Sequence, residues 1–268
     1  MKQRQNAIAA AFKRLRLNNE KALITYIAAG DPDLAATRQL VLQMAASGAD
    51  LIELGLPYSD PVADGPVIQQ ASLRALQGGV TTQAVLDLVA VLRQDTEIPL
   101  ILMAYYNSLL QYGLERFAAA AAAAGVDGLI IPDLPLEESE ELRQQTDAHG
   151  LDLIMLVAPT TPPARIARVA AASRGFLYCV SVTGVTGTRP AANELQAFLA
   201  EVRRQTCLPI AVGFGIATPE QAAAAAAAAD GAIVGSAVIS VLEQHLGSDT
   251  MAAAVGSFTA GLKQALRR

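Results

Sequence analysis

The chain has 268 residues, of which 52% are hydrophobic and 17% charged, with a formal net charge of −5. That length and apolar content are enough for one large core and match a single α/β barrel domain better than two ordinary domains. The acid excess leaves no basic surface to attract nucleic acid or an anionic membrane, so neither is expected as a partner.

The first residues, MKQRQNAIAAAFKRLR, place apolar positions at helical spacing among charges. They predict an extra N-terminal helix and lack the continuous apolar segment of a signal peptide. No later apolar run is long and unbroken enough to span a bilayer. Cys179 and Cys207 lie in apolar stretches without CxxC spacing, which argues against a disulfide framework or a zinc ribbon and fits a reducing compartment. A cytoplasmic protein is expected; a plastid protein trimmed of its transit peptide would read the same way.

Eight short aliphatic runs then follow in order: 23–28, 51–54, 100–103, 128–131, 153–157, 176–180, 210–212 and 232–234. Each is continuously apolar rather than alternating, the pattern of parallel strands covered on both faces. Helix-length segments separate them, at 33–47, 82–94, 114–124, 137–149, 163–172, 194–205 and 219–229. The alanine tracts at 118–124 and 222–229 read as helix interiors, because alanine is the best helix former. Several helices run out in Gly or Asp just before the next strand, as in SGADLIELG, AGVDGLIIP, HGLDLIM and ADGAIVG, which reads as C-cap chemistry. Eight βα units in this length predict a closed (β/α)8 TIM barrel.

In such barrels the chemistry sits where strands end. The rim then offers Asp31, Glu53 to Asp64, Asn107, Pro132, Asp133, Pro159, Thr160, the loop from Ser181 to Arg189, Gly213 to Gly215, Gly235 and Ser236. Lys2, Lys13, Lys21 and Lys263 all fall elsewhere, so a Schiff-base aldolase lacks its nucleophile. His149 and His245 belong to helices, the wrong elements for a metal cluster or a histidine base, and no metal site is expected. Cys179, inside a strand, reads as a buried inert thiol.

Carboxylates remain. Glu53 interrupts the apolar strand DLIELGLP on the face of Leu51 and Gly55. A carboxyl in an apolar cavity has a raised pKa, which suits a group that both takes and gives a proton; the bland alternative is a core glutamate paired with an arginine. Asp60 and Asp64 share the loop PYSDPVADGP, where Asp also serves as a turn residue, and turn chemistry does not choose between them. Glycines in VTGVTGTR, GFG and GS gather backbone N–H groups after strands six, seven and eight, with a helix opening at GS. Together they predict a phosphate site.

The segments AAGDPD, LIELGLPYSDPVADGP, SVTGVTGTR, AVGFGI and GAIVGSAVI resemble the signature of tryptophan synthase α subunits across nearly the whole barrel. The resemblance implies a carbon–carbon lyase of tryptophan biosynthesis that cleaves indole-3-glycerol phosphate to indole and glyceraldehyde 3-phosphate. It implies Glu53 and Asp64, rather than Asp60, as the acid/base pair. It places Tyr178, Thr186 and Gly187 at the border of the site, and Tyr26 and Tyr105 near the indole, Tyr26 standing where the family more often carries phenylalanine. It gives the phosphate to Gly187, Gly213, Phe214, Gly235 and Ser236. The loop with Thr186 is expected to act as a lid. The resemblance further implies no cofactor in this chain and a pyridoxal-phosphate-dependent β subunit as partner in an α2β2 heterotetramer. Three rivals stand beside it: a stand-alone indole-releasing lyase, another phosphate-binding barrel enzyme such as a sugar-phosphate isomerase or indole-glycerol-phosphate synthase, and a non-catalytic binding barrel. The synthase relies on barrel lysines, which are absent here.

Overall fold

The structure is a computed structural model, and it describes residues 7–180, 192–213 and 215–267. Its strands are β1 (Ala22–Ala28), β2 (Leu51–Gly55), β3 (Leu100–Met103), β4 (Gly128–Ile130), β5 (Asp152–Ile154), β6 (Leu156–Val157), β7 (Leu177–Val180), β8 (Ile210–Gly213) and β9 (Gly231–Val234). All pairings are parallel, in the order β5-β4-β3-β2-β1-β9-β8-β7-β6. The two ends of that order, β5 and β6, are consecutive in the chain, so the sheet closes on itself as a TIM barrel.

The expected fifth strand is thus divided at Met155. Its amide receives no neighbour from β4 but donates to Ser173 Oγ at 3.1 Å, while its carbonyl accepts the Tyr178 amide at 3.0 Å. The chain changes partner there, from β4 on one side to β7 on the other.

Twelve α-helices are assigned among the described residues. Those that matter below are α1 (Ala7–Leu17), α3 (Pro66–Gln77), α5 (Tyr106–Tyr112), α11 (Ser236–Glu243) and α12 (Met251–Leu266). The expected helix at 137–149 opens with a 3-10 turn, Leu136–Glu138, before α7 (Glu140–His149). Glycines end α6 (Leu114–Ala124) and α7 in the left-handed conformation, Gly125 at φ 95° and Gly150 at φ 71°, as αL caps require.

Strand alternation creates two apolar layers. Leu23, Ile27, Ile52, Leu54, Leu100 and Leu102 face outward beneath the helices. Ile24, Leu51, Ile101, Ile130, Ile154, Phe176 and Ile233 fill the barrel, which α1 plugs from its N-terminal end with Ile8, Phe12 and Leu15. The rings of Phe12 and Phe176 meet there at 5.6 Å.

The aspartates before strands do more than end helices. Asp50, Asp127 and Asp230, which precede β2, β4 and β9, accept the backbone N–H of Leu23, Leu100 and Ile210 on the adjacent strands at 2.9, 2.9 and 2.8 Å. Each also meets a cation: Lys263 for Asp50, Arg93 for Asp127 and Arg203 for Asp230. The N-terminal end of the barrel is stitched by these charge-assisted bonds.

Candidate active site

A cavity of about 620 Å³ opens at the C-terminal ends of the strands. Its walls are mainly apolar, with Met103, Leu156, Val180, Ile216 and Ile233, and it brings together Tyr26, Glu53, Asp64, Tyr178, Gly235 and Ser236. These come from β1, β2, the loop before α3, β7 and the start of α11, so residues far apart in sequence meet because the sheet is closed.

Glu53 reaches the interior by strand parity. It sits opposite Tyr26 in the β1–β2 register, and both side chains enter the barrel. Only 1% of Glu53 is exposed, and its Oε1 has no hydrogen-bond partner among the described residues. Burial alone pushes its carboxyl up to about 8, since the apolar surroundings oppose a charge. Among the described residues no arginine pairs with it.

Asp64 is 4% exposed, and its Oδ1 likewise has no partner among the described residues. Its Oδ2 accepts the Tyr105 hydroxyl at 3.0 Å. Burial raises this carboxyl to about 6, with the tyrosine hydrogen bond pulling the other way. Asp60 is exposed and takes a hydrogen bond from Ser59, the turn role expected of such an aspartate.

Two glycines make room for two tyrosines. A Cβ at Gly55 would lie 2.1 Å from the Tyr26 hydroxyl oxygen, and one at Gly213 would lie 2.4 Å from that of Tyr178. In each pair the tyrosine leans over a glycine on the adjacent strand, which neither alanine nor any larger residue permits. Gly213 therefore packs against Tyr178 and is absent from the cavity wall. Tyr26 and Tyr178 are both buried in the field of the two acids, which, added to burial, holds their hydroxyls protonated.

Gly235 and Ser236 stand at the N-terminal end of α11, which has 8 residues, and both line the cavity; the first N–H groups of a helix have no acceptor within it. Tyr105 contacts Asp64 rather than lining the cavity. Thr186, Gly187 and Phe214 lie outside the described residues.

Of the other rim candidates, Pro132 and Gly215 line the cavity, whereas Asp31, Asp133 and Asn107 have other work. Asp31, fully buried, forms a two-pronged pair with Arg74 at 2.7 and 2.8 Å, and Arg74 also holds Glu243. The Asp133 carboxylate accepts the Tyr106 amide at the start of α5, and Asn107 donates to the Tyr58 hydroxyl. Both histidines bond through Nδ1 to the carbonyl four residues earlier, His149 to Gln145 and His245 to Val241. Burial pushes the Cys179 thiol up, as expected of an inert core cysteine. Among the described residues no group of three or more His, Cys, Asp or Glu could hold a metal ion, and no single helix is long and apolar enough to cross a membrane.

Sequence reasoning missed the apolar wall of Met103, Leu156, Val180 and Ile233. Every strand carries such residues, and only closure of the barrel decides which ones face the ligand. It also missed Tyr105 as the partner of Asp64, for which a separation of 41 positions leaves no local signal.

A family model described as Tryptophan synthase alpha chain matches residues 12–267. The Tryptophan synthase alpha chain of Citrifermentans bemidjiense is 53% identical over 258 residues, 96% of each chain, and that of Chloroflexus aurantiacus is 55% identical over 239 residues, 88% of this chain and 90% of the other. The crystal structure of tryptophan synthase subunit alpha from Legionella pneumophila superimposes with a TM-score of 0.90 at 40% identity, covering 97% of this chain and 98% of that one. A structure of Mycobacterium tuberculosis tryptophan synthase does so with a TM-score of 0.90 at 38% identity and the same coverage. The rival readings find no support in these likenesses. A closed barrel with two buried acids at its mouth and sequence agreement along nearly its full length identify the chain as a member of the tryptophan synthase alpha chain family, a lyase of the α reaction in tryptophan biosynthesis.

Proposed function

We propose that this barrel cleaves indole-3-glycerol phosphate to indole and glyceraldehyde 3-phosphate, with Glu53 and Asp64 as its acid/base groups. One observation carries the assignment of residues: both carboxyls line one apolar cavity, each with a buried oxygen that lacks a partner among the described residues. Buried polar atoms are nearly always bonded, so two orphans in one cavity point to a ligand.

At pH 7 burial leaves the two acids in opposite states. Glu53, with its pKa near 8, holds its proton, and Asp64, near 6, has lost its own. Glu53 gives that proton to C3 of the indole ring, which makes C2=N1 an iminium. The Asp64 carboxylate takes the hydrogen bond of N1–H and balances its charge. Glu53, now ionised, removes the proton of the hydroxyl on the carbon joined to C3. That carbon becomes a carbonyl, the bond to C3 breaks, and its electrons restore the indole as C2=C3 re-forms and the iminium pair returns to N1. Glu53 ends protonated, ready for another turnover. The substrate is its own electron sink, so the chain needs neither a cofactor nor a lysine for this step.

The apolar wall suits the ring and keeps water from the carboxylates. Tyr26 and Tyr178 border the ring. The phosphate is assigned to the α11 N-terminus at Gly235 and Ser236, together with Gly187 and Phe214, and Thr186 belongs to the lid, while Gly213 serves the site from beneath by making room for Tyr178. The chain acts as one domain in the cytoplasm, with a β subunit that carries pyridoxal phosphate and completes an α2β2 heterotetramer.

Glu53→Gln keeps the shape of the side chain and removes the titrating group. Incubated with indole-3-glycerol phosphate, alone and with β subunit, the variant is expected to fold normally and form indole about 10³-fold more slowly. Undiminished turnover would overturn the assignment.

A further inference from the structure

Tyr105 is 4% exposed and grips the loop between β2 and α3 at two points. Its ring stacks on Tyr58 at 5.0 Å with an interplanar angle of 19°. Its hydroxyl accepts the Ala63 amide at 2.9 Å and donates to Asp64 Oδ2 at 3.0 Å. A hydroxyl has one proton, and with the Ala63 amide already donating to the oxygen, that proton is committed to Asp64. The tyrosine is anchored in turn: it occupies the N-cap position of α5, whose first amide, that of Tyr106, is bound by the Asp133 carboxylate at 2.9 and 3.2 Å.

These contacts divide the two oxygens of Asp64. Oδ2 is occupied by the protein, and Oδ1 has no partner among the described residues and belongs to a cavity-lining side chain. We propose that Tyr105 is a positioning residue for the reaction: by claiming Oδ2 it fixes the carboxylate plane and presents Oδ1 to the N–H of the substrate ring. It touches Asp64 and the loop, not the substrate. The proposal rests on the assignment of Asp64 as the group that meets N1–H. The same hydrogen bond favours the ionised carboxylate against the burial that opposes it.

Tyr105→Phe tests it, since the ring stack survives and only the hydroxyl is lost. With indole-3-glycerol phosphate as substrate, kcat is expected to fall about 10- to 100-fold, the range for a hydrogen bond to a charged group. The acid limb of kcat/KM is expected to move up by about one pH unit, a change that a merely structural tyrosine would not cause. Affinity for the unreactive indole-3-propyl phosphate is measured in wild type, Tyr105→Phe, Asp64→Asn and the double variant. If Tyr105 acts through Asp64, its removal weakens binding in the wild type and adds less than about two-fold in the Asp64→Asn background. Equal losses in both backgrounds, or an unmoved acid limb with kcat within about two-fold of wild type, would overturn the proposal. Full turnover by Asp64→Asn would instead overturn the assignment of Asp64, whatever the tyrosine variant does. A thermal melt of each variant separates these outcomes from misfolding.

Discussion

At the N-terminal end of the barrel, Asp50, Asp127 and Asp230 each hold a strand amide and a cation, whereas at the C-terminal end Glu53 and Asp64 each keep a buried oxygen with no partner among the described residues. The residue class is the same, and for Asp50 and Asp127, each 6% exposed, the burial is similar to that of Asp64, at 4%. What differs is whether the fold supplies the counter-charge. Even on the catalytic rim Asp31 is fully buried but bound by both prongs of Arg74, so burial alone does not mark a working acid. Among the described acids the combination of burial, a cavity and an unmet hydrogen bond is met by Glu53 and Asp64, the two proposed for the chemistry.

This contrast is sharpened by variants from the two ends. The largest expected effect is on rate, the loss of about 10³-fold in Glu53→Gln described above, in a protein that still folds. At the opposite end, Asp127→Ala strands the Arg93 guanidinium, 11% exposed, and the Leu100 amide without their carboxylate. The expected cost is about 3–5 kcal/mol of stability by denaturant unfolding, with kcat unchanged in the fraction that remains folded. A loss of kcat without loss of stability there would erase the distinction between the two ends.

A smaller effect concerns the stability of the site itself. Burial raises Glu53 from 4.5 to about 8, so the folded state favours the protonated form. The stability this gives is fully present below about pH 4.5 and is lost as the pH rises toward 8. At pH 7 the loss is on the order of 3 kcal/mol. Glu53→Gln does not titrate, so its stability is expected to fall less with pH than that of the wild type, and it becomes the more stable protein near pH 8. Parallel curves for the two proteins from acid to alkaline pH would show that Glu53 is not held protonated by the fold.

Much of this was legible in the sequence, for reasons that also explain what was not. The strands from Leu23, Leu51, Leu100, Ile210 and Ala232 appear where their aliphatic runs predicted, because strands covered on both faces must be apolar throughout. Glu53 stood out because a charge inside such a run has few structural explanations. The break at Met155 did not, since it depends on Ser173, 18 residues on, capturing an amide. The aspartates of the GAD, GVD and AAD segments read as helix punctuation, and their bonds to adjacent strands emerge only once the strands are side by side. For the same reason Asp60 and Asp64 were indistinguishable as turn residues. What separates them is Tyr105, which closure of the barrel brings over Asp64 and not over Asp60.

Neutral pH is expected to leave Asp64 ionised and Glu53 protonated in one apolar cavity. The most direct test is kcat/KM for indole-3-glycerol phosphate cleavage followed from about pH 5 to about pH 9.5, which reports the acid and base of the free enzyme. The expected profile is a bell with limbs near 6 and 8, set by Asp64 and Glu53. A rate that stays level across that range, or a single limb in the ordinary carboxylate region near 4, would contradict it.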